Sequence, residues 1–123
     1  MKSELPAFQK AYDLAKEILT RTGKFPRDYK FTLGDRLAIL ALQTLDLITR
    51  ATYAKEKREY LDSANLNLER LRVLLRLSHD LGPLSIKGYE HVMVLINELG
   101  SQIGGWRKSL GGKHGHDNQE PLS

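Results

Sequence analysis

The sequence predicts an all-α protein, an antiparallel up-down-up-down four-helix bundle followed by a polar C-terminal tail. Apolar residues recur at three- and four-residue spacing through four long stretches, and no stretch alternates with period two. The prolines and the turn-forming glycines fall mainly between these stretches, which leaves short connections. At 123 residues the chain fits one domain. The bundle is assigned to residues 1–110 and the flexible polar tail to 111–123.

The first helix is expected from about Pro6 to Thr22. Pro6 suits a first turn, where its missing N–H is not needed. Leu5, Phe8, Tyr12, Ala15, Leu19 and Thr22 follow helical spacing, and Gly23 is read as a left-handed stop. A basic connector follows, Lys24-Phe25-Pro26-Arg27-Asp28-Tyr29-Lys30.

The second helix is expected to begin between Tyr29 and Leu33, with Thr32 and Asp35 as a variant capping box. Phe31, Leu33, Leu37, Leu40, Thr44, Leu47 and Ala51 are read as its core stripe. Ile39, Leu42, Leu45 and Ile48 widen that stripe, which predicts a helix buried on more than one side.

The third helix is expected from about Lys57 to Asp80. Tyr60, Ala64, Leu68, Leu71, Leu75 and Ser78 form its seam, with Leu61, Leu74 and Leu81 beside them. Gly82-Pro83 ends it. Ser85 is the expected N-cap of the fourth helix. There Ile86, Tyr89, Val92, Ile96, Leu99, Ile103 and Trp106 repeat at helical spacing. Gly100, Gly104 and Gly105 interrupt good helix formers at a cost of about 1 kcal/mol each. Their presence predicts close helix approach or fraying.

Composition bounds the function. Apolar residues at 41% and charged residues at 28% describe an ordinary globular chain. The absence of cysteine excludes disulfides, thiolate zinc sites and iron–sulfur clusters. No signal peptide or membrane-length apolar run is visible, so a cytoplasmic protein without membrane contact is expected. Nothing matches a nucleophile elbow, a P-loop or a dinucleotide fingerprint, so no enzyme activity and no cofactor are expected. His79 and Asp80 diverge on a helix, and Glu90-His91 lacks the spacing of a di-iron motif. His114, His116 and Asp117 are read as part of a solvated tail rather than a metal site.

The net charge is +4. Because Lys113, Asp117 and Glu120 lie in the tail, the body carries the larger positive charge. That sign points to an acidic partner such as nucleic acid, against the plainer reading of simple solubility. Arg50, Lys55, Lys57 and Arg58 cluster around the second turn between helices. Lys24, Arg27, Lys30 and Arg36 gather near the first connector, softened by Asp28 and Asp35. Arg70, Arg72 and Arg76 lie on the third helix, and Arg72 and Arg76 share a face. Like charges so placed repel, so each needs a partner molecule or its own carboxylate. Glu17 and Arg21 form an i,i+4 pair, Glu69 stands near Arg72 and Arg76, and Arg107 and Lys108 suit the negative end of a helix dipole.

Phe25-Pro26-Arg27, Phe31-x-Leu33-Gly34-x-Arg36-Leu37, Leu71-Arg72-x-Leu74-Leu75-Arg76-Leu77 and Leu99-Gly100-x-x-x-Gly104-Gly105-Trp106 occur in that order. Together they resemble the Avd family, the accessory variability determinants of diversity-generating retroelements, over about Leu5 to Leu110. They also resemble the four-helix-bundle proteins encoded in 23S rRNA intervening sequences. The resemblance implies a bundle that assembles into a pentamer and binds a reverse transcriptase together with RNA or DNA. It implies support for copying template RNA during mutagenic retrohoming. Residue by residue, it makes Arg72 and Arg76 candidate contacts, with Arg27 and Arg36 on earlier basic positions. The rival expectation is a self-assembling structural bundle of the intervening-sequence type with no nucleic-acid role. A small-molecule or metal site inside the bundle is the third, and no inward set of carboxylates and histidines supports it.

Overall fold

A computed structural model describes residues 4–111, so the predicted tail beyond Gly111, including His114, His116 and Asp117, lies outside the described residues. Helix α1 spans Glu4–Thr22 and a one-turn helix α2 spans Arg27–Tyr29. A π-turn at Lys30–Gly34 leads directly into α3, Asp35–Tyr53. Helices α4 and α5 span Arg58–Leu81 and Ile86–Leu110. No strand occurs among the described residues.

Four long helices form the bundle. Helix α1 packs on α3 and α5, and α4 packs on the same two. Side-chain pairs fix their directions. Lys10 meets Glu98 at 3.1 Å, while Glu17 lies near His91 at 3.7 Å, so α1 and α5 run antiparallel. Asp62 meets Arg107 at 3.0 Å and Arg72 meets Asn97 at 2.9 Å, which makes α4 and α5 antiparallel as well. Arg36 and Leu40 share a groove with Arg70, Val73 and Leu74, and Arg50 lies beside Tyr60, so α3 opposes α4.

The core runs down the centre between the four helices. Leu14, Ile18, Leu37, Ile48, Leu61, Leu68, Leu71, Ile96, Leu99 and Ile103 are almost wholly buried. Each such side chain contributes roughly 1.5–3 kcal/mol on leaving water, most of it offset by chain entropy. The predicted seams of α4 and α5 are in place, although Leu81 and Ile86 remain exposed at the ends.

The buried face of α1 differs from the predicted stripe. Ala7, Ala11, Leu14, Ala15, Ile18 and Thr22 face inward, while Phe8, Tyr12 and Leu19 are partly exposed. Three alanines let the α1 backbone approach its neighbours closely. The larger residues form a second, partly exposed stripe at i, i+4 and i+11. Phe8 and Tyr12 stack there with ring centroids 6.3 Å apart.

The start of the second predicted helix also differs. No side-chain capping bond forms at Thr32, whose hydroxyl reaches the Tyr29 carbonyl at 3.4 Å. The helix starts earlier, after Pro26, and passes through the π-turn without a break. There the Asp35 N–H bonds the Lys30 carbonyl. Counting back from Leu37, the core-facing positions are Leu33 and Gly34. Gly34 is buried against Phe25, with Phe25 Cδ2 3.5 Å from where a Cβ would sit. Phe31 therefore faces out, 67% exposed, and does not join the core. Ile39 and Leu42 also lie on the outer face of α3, each about half exposed.

Turn chemistry follows the sequence at the α4–α5 junction, which lies beside the first connector. Gly82 adopts φ +115° and closes α4, as expected of a left-handed cap. The Ser85 hydroxyl accepts from the Gly88 N–H at 3.0 Å and caps α5. Gly23 is not left-handed, so α1 ends instead in a tight turn, with the Gly23 N–H bonded to the Leu19 carbonyl. Nor do Gly104 and Gly105 mark a close approach. A Cβ at either would meet nothing within 4 Å, and α5 continues through them.

Candidate partner and nucleic-acid interface

The eight predicted contact residues do not form one site. Arg36 and Arg50 lie at opposite ends of α3, separated by about 21 Å at 1.5 Å per residue. Arg27 and Arg36 belong to the end where α1 finishes and α3 begins. Arg50, Lys55, Lys57 and Arg58 surround the α3–α4 turn at the other end. Arg72 and Arg76 lie along the third long helix, α4.

Their availability differs more than their position. Arg27, Arg36 and Lys55 are exposed and form no ion pair among the described residues. Arg50 is exposed and bonds Asp46 at 2.9 Å. The Asp46 hydrogen bond and charge push its guanidinium further up, with a smaller contribution from the Tyr60 hydroxyl. Arg76 makes only a long contact with Asp80 at 3.8 Å.

The other three are committed to the fold. Lys57 Nζ donates to the carbonyls of Ala51, Thr52 and Ala54 at 2.8, 3.2 and 2.9 Å, closing the α3 C-terminus. Those carbonyls end the helix with no intrahelical N–H, and a cation also suits that end of the dipole. Arg58 Nη2 reaches across to the Arg107 carbonyl at 3.1 Å. The Nε atoms of Arg58 and Arg107 are buried without a hydrogen-bond acceptor. Asp62 lies 3.0 Å from the Arg107 Nε as an ion pair outside hydrogen-bond geometry. Arg72 binds Glu69 on its own helix and Asn97 on α5. The i,i+4 arginines thus have separate carboxylates, Glu69 and Asp80, which relieves their repulsion without any outside partner.

One grouping emerges that the sequence did not single out. Arg70 joins Arg36 in the groove between α3 and α4, with Leu40, Val73 and Leu74 between them. Neither guanidinium has a carboxylate partner among the described residues. Helical phase could have signalled this, because Arg70 lies two positions from Arg72 and so on the opposite flank of α4. Lys24 and Lys30, which the sequence already groups with Arg27 at the first connector, form no ion pair among the described residues.

Several other polar groups serve the fold. His79 Nδ1 lies 3.0 Å from the Leu84 carbonyl and its ring stacks on Tyr89, tying the α4–α5 turn together. Arg21 pairs with Glu17 and passes over Gly88. No group of three metal-ligating side chains occurs among the described residues. No described helix is long and apolar enough to cross a membrane.

A sequence model of the bAvd-like family matches residues 7–110, all of the bundle but the first three residues of α1. The chain belongs to the bAvd-like family. No curated protein matches it. Membership confirms the resemblance drawn from the four short motifs. Some of those motif positions, Leu71, Leu75, Leu99 and Trp106, are buried in the core, while Arg27 and Arg36 are on the surface.

Proposed function

We propose that this bAvd-like protein is a non-enzymatic accessory subunit. It binds a retroelement reverse transcriptase and nucleic acid, RNA or DNA, and supports reverse transcription of template RNA in mutagenic retrohoming. Family membership over residues 7–110 is the observation that carries this reading. Unpaired surface cations supply a mechanism. A phosphate that replaces water at Arg27, Arg36 or Lys55 releases counterions without breaking an existing ion pair. Arg50 and Arg76 can exchange their exposed carboxylates for phosphate at small cost, because such pairs contribute about 0–1 kcal/mol. Lys57, Arg58 and Arg72 contribute least, since engaging a ligand would disrupt helix ends and helix contacts.

The protein works in the cytoplasm as a homo-oligomer, with the pentamer implied by the Avd resemblance. Ile39, Leu42, Leu66, Val73 and Leu77 supply exposed apolar area for contacts between copies. The same residues favour the rival reading, a self-assembling bundle without a nucleic-acid role. Co-purification with a cognate reverse transcriptase across a salt series, with and without RNA, separates the two. The accessory reading predicts association that weakens as salt rises. Association with neither enzyme nor RNA at low salt would leave only the self-assembling bundle.

A further inference from the structure

Phe31 is the aromatic ring of the first connector that the fold does not use. Phe25 is turned into the core and Tyr29 is half-buried against it. Phe31 is 67% exposed on the π-turn. The backbone holds it there firmly. The Lys30 N–H bonds the Pro26 carbonyl at 2.9 Å, and the π-turn runs into α3 without a joint. A ring fixed outward on a short, hydrogen-bonded turn loses little freedom on binding.

Its neighbours are cationic. Arg27, Lys30 and Phe31 stand at i, i+3 and i+4, a spacing that places side chains on one face of a helical turn. Lys24 and Arg36 flank the turn. None of these four cations forms an ion pair among the described residues; Asp28 and Asp35 are close in sequence, and Glu17 shares a groove with Lys24. An exposed ring among unpaired cations matches the two requirements of single-stranded nucleic acid. Its bases stack on an aromatic face and its phosphates need positive charge. A duplex hides its base faces and would use only the cations.

We infer that the Lys24–Arg36 corner is a single-strand-binding site in which Phe31 stacks on a base while Arg27 and Lys30 hold the adjoining phosphates. This rests on the nucleic-acid reading above and adds a preference to it. Tyr53 is the natural control. It is more exposed, at 85%, but its neighbour Arg50 is paired with Asp46, and Glu56 follows Lys55.

The test compares binding of a labelled short oligouridine with that of an RNA duplex of equal length, using full-length protein. Phe31→Ala removes an exposed side chain, and circular dichroism will confirm an unchanged helix signal. Affinity for oligouridine should fall about ten-fold, and duplex affinity should change less than two-fold. Phe31→Trp should restore single-strand binding, and Tyr53→Ala should leave both affinities in place. Equal loss on both probes, or no loss on either, overturns the inference while leaving nucleic-acid binding itself intact. A loss accompanied by a smaller assembly in light scattering also overturns it and assigns Phe31 to a contact between copies. If wild-type protein binds neither probe at low salt, the nucleic-acid reading falls and the inference with it.

Discussion

Lys57 illustrates how a charge that looks available can belong to the fold. In the sequence it is one of four cations around a turn, with the same standing as Lys55. In the structure it donates to three carbonyls at the end of α3, whereas Lys55 extends into solvent without an ion-pair partner among the described residues. Hydrogen bonds from a charged donor contribute more than neutral ones, and leaving such carbonyls unmet carries its own cost. Lys57→Met should therefore lower stability by about 1–2 kcal/mol in urea denaturation. Lys55→Met should stay within about 0.5 kcal/mol of wild type, as for most surface changes. Equal stability of the two variants would remove the capping role. The identity of every cation was legible in the sequence, but its commitment was not. Commitment depends on partners such as Asn97 for Arg72 and the Arg107 carbonyl for Arg58, which are distant in sequence.

At the scale of elements, α4 and α5 were the most readable. Their seams bury large residues at helical spacing, and Gly82 and Ser85 mark their junction with the expected conformations. Helix α1 was misread because side-chain size does not identify the buried face. Its alanines are inside and its aromatics lie on a flank. The entry to α3 was misread for another reason. A π-turn inserts one residue into an otherwise α-helical register, and Thr32-x-x-Asp35 mimics a cap that the continuous backbone does not need. Gly104 and Gly105 are helical and face open space, so alanine at either position adds helix propensity without a clash. Each substitution should raise stability by about 0.5–1 kcal/mol. Thermal melts that show destabilisation would mean that these positions are covered by another molecule in solution.

For the whole molecule, family membership spans the bundle, and the cations divide into those that hold it together and those left outside. A surface cation that meets phosphate steepens the salt dependence of binding, whereas an internal one changes stability and leaves the slope alone. The outer apolar residues of α3 and α4 fit contacts between copies, and assembly would repeat the exposed cations around one particle. Charge sign alone could suggest an acidic partner from sequence. Only the fold separates Arg27 and Arg36 from Arg72. The most direct measurement is the affinity of single-stranded RNA as a function of salt for wild type, Arg27→Gln, Arg36→Gln and Arg72→Gln. Loss of Arg27 or Arg36 should flatten the log–log slope by about 0.7 per contact, while Arg72→Gln should leave the slope unchanged and lower the unfolding midpoint. A flatter slope for Arg72→Gln, with no effect from removing either exposed arginine, would instead place the phosphate contacts on α4.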